Sequence, residues 1–306
     1  MRDAFSRTLV EIAKSDPNVI LLTGDHGYAL FDEFRRTCPN QYLNAGIAEQ
    51  NMIGMAAGLS RLGFRPFVYG LSAFVPVRVL EQIKLDIAHD DLPVVLLGDG
   101  AGFVYSHLGT SHQSTEDIAC TRAIPGLAVL SPADRFEMAA SLRLAYAMKA
   151  PVYLRMGKSD RGDVHDRLIE PCELRQPLKV RNGADHKAVI LATGSMVRTA
   201  LEIQGQDIDC DVWSVSAIKP LPERALTDIA RASDSLIVME EHSILGGLGS
   251  AIAEVISEAA PKRLLRVGVK DRFSERCGTY AYLLAEHGLD TESVRNRVSR
   301  FIGQSE

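Results

Sequence analysis

Short β-prone runs alternate with helix-period segments along almost the whole chain, and this alternation constrains the fold more than any other feature. Strands separated by helical crossovers pair in parallel, because each crossover returns the chain to the same end of the sheet. Runs at Val19–Leu22, Tyr42–Asn44, Pro66–Tyr69, Val94–Leu97, Ala128–Leu130 and Val152–Leu154 predict six strands. Helices are expected near residues 48–62, 75–90 and 134–148, with an amphipathic one at the start through Leu9, Ile12 and Ala13. After Met156 the pattern stops. Gly157 to Asp163 and the stretch on to about His186 are polar, hold several Gly and Pro, and suit a linker. Alternation resumes with strands at Ala188–Ala192, Asp211–Val215, Leu236–Met239 and Leu265–Gly268. The fold class is α/β in two doubly wound domains, residues 1–160 and 187–306, joined by a linker at 161–186.

With 306 residues, each half is long enough to bury a core, and 46% hydrophobic with 24% charged residues is an ordinary globular composition. The net charge of −5, with no Lys/Arg run beyond a pair, leaves no electrostatic footprint for nucleic acid. No apolar run reaches the length of a membrane span. The start, Met1-Arg2-Asp3-Ala4-Phe5, is unlike a secretory signal, so a cytoplasmic protein without nucleic-acid or membrane partners is expected. The five cysteines, at 38, 120, 172, 210 and 277, form no C-x-x-C pair and are odd in number, which argues against a disulfide framework or a zinc site. The eight histidines lack ligand spacing, so no metal is expected on this chain alone.

The candidate chemistry begins at Asn44-Ala45-Gly46-Ile47-Ala48-Glu49-Gln50-Asn51-Met52, where a short strand passes through a glycine turn into an apolar helix. Glu49 then stands at the rim of a sheet, where open α/β folds place ligands. The helix dipole alone would also favour an acidic residue there. Phe74 precedes a helix carrying Arg78, Glu81 and Gln82; an aromatic residue at a strand end usually packs inward. The glycine-rich segment Gly98 to Gln113 follows an apolar strand and carries His107 and His112, candidate acid/base groups because imidazole titrates near neutrality. An exposed loop histidine without a role is an equal reading for His107. Gly246-Gly247-Leu248-Gly249-Ser250 departs from G-x-G-x-x-G and is read as tight helix–sheet packing.

Taken in order, Asn44 to Met52, Ser111-His112-Gln113, Ala188-Val189-Ile190-Leu191-Ala192-Thr193-Gly194-Ser195 and Glu240-Glu241-His242-Ser243-Ile244-Leu245-Gly246-Gly247-Leu248-Gly249 resemble the pyrimidine-binding and C-terminal domains of transketolases. The resemblance covers nearly the whole chain. It implies a pyrimidine-binding domain of the thiamine-diphosphate type followed by a transketolase C-terminal domain. Full-length transketolases carry a preceding domain that binds the diphosphate and its metal, and this chain begins where that domain would end. The chain therefore resembles the C-terminal subunit of a split transketolase. A separate N-terminal subunit, an α2β2-type assembly and inactivity of this chain alone are implied. Gly98-Asp99-Gly100 resembles the start of the metal–diphosphate signature, but Gly126 to Leu130 stand where its asparagine pair would be. A divalent cation, magnesium by the resemblance, is thus expected mainly on the partner subunit.

The implied activity is two-carbon ketol transfer between a ketose and an aldose with thiamine diphosphate. In this family the carboxylate matching Glu49 hydrogen-bonds a nitrogen of the aminopyrimidine and promotes the tautomer that deprotonates the thiazolium carbon. Phe74 resembles the residue that stacks on the pyrimidine, and Leu71 stands where many relatives have a second aromatic. Asp25 resembles an acidic residue near the thiazolium, His112 one that faces the reacting carbon, and Arg155 one that holds a substrate's anionic tail. His107 is assigned with Arg155 to the substrate. Relatives acting on sugar phosphates carry Glu-Asp-Gly before Thr-His-Gln, whereas this chain has His107-Leu108-Gly109 before Thr110-Ser111-His112-Gln113. A sugar other than the common pentose phosphates is therefore expected. The alternatives are a β subunit of a 2-oxo acid dehydrogenase decarboxylase, an enzyme like 1-deoxyxylulose-phosphate synthase, and a non-catalytic assembly subunit.

Overall fold

Parallel strands covered on both faces need continuous apolar runs. The first half supplies them in β1 (Val19–Thr23), β2 (Tyr42–Asn44), β3 (Arg65–Leu71), β4 (Val95–Asp99), β5 (Ala128–Leu130) and β6 (Val152–Met156). The computed structural model describes all residues except 28, 159, 185, 186, 206, 207 and 304–306, so the last two positions of the expected linker lie outside the described residues. The six strands pair in parallel in the order β5-β6-β4-β3-β1-β2. Alternate side chains go to opposite faces. Ile20, Leu22 and Val68 pack with Met52, Ile53 and Ala56 of the helix Glu49–Arg61. Val19, Leu21 and Phe67 pack with Phe5 and Leu9 of the helix Arg2–Ser15 and Met138 and Leu142 of the helix Arg135–Ala147. Asp134 caps that last helix by accepting from the Phe136 and Glu137 amides, both at 2.9 Å.

The helix expected at 75–90 is irregular: a 3-10 turn at Val77–Val79, one α-turn at Leu80–Gln82, then a π-helical stretch at Ile83–Ala88. Pro76 keeps the residue before it out of the α region, which delays the helix. Val79, Ile83 and Ile87, four apart, are still buried in the core.

The second half contains β7 (Leu178–Arg181), β8 (Ala188–Ala192), β9 (Asp211–Ser214), β10 (Ala217–Lys219), β11 (Ser235–Ser243) and β12 (Arg263–Val269). Its sheet runs β12-β11-β8-β9-β7, parallel except for β7 at the edge. The stretch expected as a linker is therefore partly structured. It holds a 3-10 turn at Glu173–Arg175 and then β7, whose charged alternate residues Lys179 and Arg181 hide it from a search for apolar runs. A second departure is β10, which leaves its own half and pairs antiparallel with β5. Among the described residues no helix is long and apolar enough to cross a membrane.

Candidate active site

The first sheet reverses direction between β1 and β3: the chain leaves β1 for β2 on one side and β3 for β4 on the other. Ligands of open α/β sheets sit outside the carboxyl ends of the strands at such a reversal. Asp25 follows β1, Asn44 ends β2 and Leu71 ends β3. Asn44 Oδ1 accepts from the Asp25 amide at 3.1 Å and the Gly46 amide at 2.9 Å, while its Nδ2 donates to Asp25 Oδ1 at 3.4 Å. Gly46, at φ 72°, takes the left-handed conformation the turn requires. This knot delivers Glu49 as the first residue of the helix Glu49–Arg61, where the dipole favours its charge.

Glu49 is buried, and Arg78 Nη1 donates to its Oε2 at 3.1 Å. The Arg78 guanidinium carbon lies over the Phe74 ring, 3.9 Å from its centroid. Phe74 in turn meets the His112 ring edge-on at 5.2 Å. The Phe74 and Val75 amides donate to the Leu71 carbonyl at 2.8 and 2.7 Å, a turn that swings Phe74 out beyond the strand end. Ser111 Oγ lies 3.0 Å from His112 Nδ1. Glu49, Phe74 and His112, far apart in sequence, thus form one continuous surface, with Leu71 and Asp25 at its strand ends. The flat, nitrogen-bearing guanidinium of Arg78 fills the space between Glu49 and Phe74.

Other expected residues are held differently. His107 is exposed on the turn Ser106–Leu108, and Leu108 is 55% exposed. Asp99 accepts from the Tyr69 hydroxyl at 2.6 Å and the Tyr105 hydroxyl at 3.1 Å, so Gly98-Asp99-Gly100 serves packing. Arg155 lies in the interior. It is 2% exposed, its Nε donates to Asp117 Oδ2 at 2.8 Å and its Nη2 to the Glu241 carbonyl at 2.9 Å. Burial opposes its charge, but Asp117, Tyr153 and Glu241 together outweigh that and hold its pKa above the ordinary value. A guanidinium committed in this way joins β6 to β11.

The Glu240-Glu241-His242 run is a fastening between the two halves. Glu240 accepts from the Leu248 and Gly249 amides at 2.7 and 2.9 Å, capping the helix Leu248–Ala259, and burial pushes its carboxyl up to about 7. A Cβ at Gly247 would overlap Glu240 Oε2, so the glycines serve close packing, as their spacing predicts. Glu241 accepts from the Phe103 amide at 2.7 Å and from the Ser195 and Tyr280 hydroxyls. Burial pushes His242 down to about 4. Its Nδ1 donates to the Ser243 carbonyl at 2.7 Å and its Nε2 accepts from the Ala119 amide at 3.3 Å, which assigns the neutral tautomer.

Two residues at the site carry no clear signal in the sequence. Arg78 stands there only as one member of a helix. His26, beside Asp25, has its ring 5.3 Å from that of Tyr69 and its Nε2 buried without a hydrogen-bond partner. The signal available for it is Gly24-Asp25-His26-Gly27 directly after a strand.

Residues 1–162 match the family model "Transketolase, pyrimidine binding domain" and residues 178–294 match "Transketolase, C-terminal domain". A Clostridium sp. protein described as a 6-deoxy-6-sulfo-D-fructose transketolase subunit is 34% identical, over 96% of this chain and 92% of its own length. A Phocaeicola vulgatus protein described as an apulose-4-phosphate transketolase subunit is 32% identical, over 98% of this chain and 97% of its own length. A solved structure described as a split gene transketolase, inactive beta4 tetramer, superposes with a TM-score of 0.87 at 34% identity, covering 98% of this chain and 97% of that one. The chain belongs to the transketolase family, and its two α/β domains are that family's pyrimidine-binding and C-terminal domains.

Proposed function

We propose that this chain is the C-terminal subunit of a two-chain, thiamine-diphosphate-dependent transketolase that moves a two-carbon ketol unit from a ketose to an aldose. The observation that carries this reading is the slot bounded by buried Glu49 and the ring of Phe74, occupied by a planar N–H donor. An aminopyrimidine fits the same place: a flat face for Phe74 and a ring nitrogen for Glu49. Bound there, the cofactor would supply a nucleophilic carbon for attack on a ketose carbonyl.

In this reading Glu49 holds a proton at the pyrimidine nitrogen in a water-poor pocket. Phe74 and Leu71 pack against the ring, and Asp25 places negative charge near the thiazolium. His112, braced by Phe74 and Ser111, exchanges protons with substrate hydroxyls, and His107 contacts the substrate from the loop. The divalent cation, read as magnesium, is assigned mainly to a separate N-terminal subunit, since Asp99 is held by Tyr69 and Tyr105. An α2β2-type assembly follows from that division of labour. The five cysteines are free, which suits a reducing compartment, and the cytoplasm is the proposed location. The relatives' printed sugars, 6-deoxy-6-sulfo-D-fructose and apulose 4-phosphate, support a substrate other than the common pentose phosphates.

The test is to purify the chain with an N-terminal transketolase-type chain from the same genome, add thiamine diphosphate and magnesium, and follow a 13C-labelled two-carbon unit by NMR across a panel of ketoses and aldoses. Label moving into a new ketose supports the reading. Decarboxylation of pyruvate without ketol transfer points instead to a synthase of the 1-deoxyxylulose-phosphate type. No turnover of any kind by the assembled complex removes the catalytic role.

A further inference from the structure

The Arg78 guanidinium stands between the two residues assigned above to the aminopyrimidine. It donates to Glu49 Oε2 at 3.1 Å and lies 3.9 Å from the Phe74 ring centroid. A guanidinium is planar, delocalised and bordered by N–H donors. It therefore satisfies the same two surfaces a pyrimidine would: the face of Phe74 and the carboxylate of Glu49. The two groups cannot occupy that face together.

We propose that Arg78 is a placeholder for the cofactor's pyrimidine, filling the slot in the cofactor-free chain and swinging into solvent as the cofactor enters. This inference rests on the proposed function. A buried carboxylate without a partner is costly, so the cofactor-free chain needs a counter-charge at Glu49. Arg78 supplies it, and with its side chain 46% exposed it has an open path to water. While it sits in the slot it keeps the Glu49 carboxylate and the Phe74 ring in the arrangement that the pyrimidine would meet. Its presence also lowers the fraction of molecules able to accept the cofactor, and apparent affinity falls by that fraction. A half-exposed ion pair and a cation–π contact of this kind together predict an effect of about three- to thirtyfold.

The test compares wild type, Arg78→Ala and Arg78→Lys, each assembled with the N-terminal subunit, by rapid filtration of radiolabelled thiamine diphosphate with magnesium and by thermal denaturation with and without cofactor. Arg78→Ala should bind about three to thirty times faster, and Arg78→Lys, which keeps the charge but not the plane, should fall between. Arg78→Ala should lower the midpoint of the cofactor-free complex and leave that of the loaded complex unchanged, whereas a merely structural arginine would lower both. Binding by the variant alone would mean that wild type is locked by Arg78, and supports the proposal. Equal or slower association, or equal loss of stability in both forms, overturns the placeholder while the proposed function stands. If neither wild type nor variants bind the cofactor, the proposed function falls and the placeholder with it.

Discussion

Arg155 Nε and Asp117 Oδ2 lie 2.8 Å apart with both side chains sealed from water, and the Tyr153 hydroxyl donates to the same carboxylate oxygen at 2.7 Å. The pair sits where β6 meets the second domain, because Arg155 continues to the Glu241 carbonyl on β11. Removing one partner of a buried pair leaves an uncompensated charge. Arg155→Ala or Asp117→Asn should therefore cost about 3–5 kcal/mol in urea unfolding, while Arg155→Met with Asp117→Leu should recover much of it. A loss below about 1 kcal/mol for either single change would mean that the pair is not what joins the halves.

His242 and Glu240 should give opposite dependences on pH. His242 is neutral in the folded chain down to about 4 instead of 6.5, so between those values the unfolded chain binds more protons. Its contribution is full above about 6.5 and is lost as pH falls toward 4. Glu240 keeps its proton up to about 7 instead of 4.5, so its contribution is full below 4.5 and is lost as pH rises through 7. In the shared window the two slopes offset each other. Relative to wild type, His242→Gln should lose stability as pH rises through that window, and Glu240→Gln should gain, each by about 1 kcal/mol per pH unit. Urea midpoints near pH 5, 6 and 7 check this; difference curves that stay flat would show that neither group titrates as stated.

Glu49→Gln should change stability by less than about 1 kcal/mol, since its partner Arg78 is half in solvent. In the assembled complex it should stop proton exchange at the cofactor's thiazolium carbon, observed by deuterium exchange in NMR. An exchange rate like that of wild type would remove Glu49 from the chemistry.

Two glycine-to-alanine changes should have opposite signs. At Gly102, φ is 70° and a Cβ would collide with Glu241 Oε1, so Gly102→Ala should destabilise by about 1–3 kcal/mol or more. At Gly54, inside the helix Glu49–Arg61, a Cβ meets nothing within 4 Å, so Gly54→Ala should stabilise by about 0.5–1 kcal/mol. Thermal midpoints decide both; a gain at Gly102 would mean that the glycine-rich loop yields more than its contacts imply.

Leu108, 55% exposed beside His107, can take a carboxylate without a burial cost. Leu108→Asp should raise kcat/KM for common ketose phosphates relative to the native sugar. Wild-type turnover of xylulose 5-phosphate with ribose 5-phosphate as efficient as any other pair would refute the specificity reading of this loop.

Local patterns determined most of the strands and the junction at Glu49 from the sequence alone. A strand buried on both faces must be a continuous apolar run, and a turn into a helix must carry its glycine and its acidic first residue at fixed offsets. β7 was hidden because an edge strand of four residues buries only alternate side chains. β10 was hidden because its partner β5 lies in the other half of the chain, and no local period records such a pairing. Side-chain partners were decided by the tertiary structure for the same reason. Arg155 and Arg78 are both arginines of the first half, yet packing gives one the buried Asp117. It lays the other across Phe74 onto Glu49. Which carboxylate a guanidinium meets depends on contacts between distant segments, and only the folded chain brings those segments together.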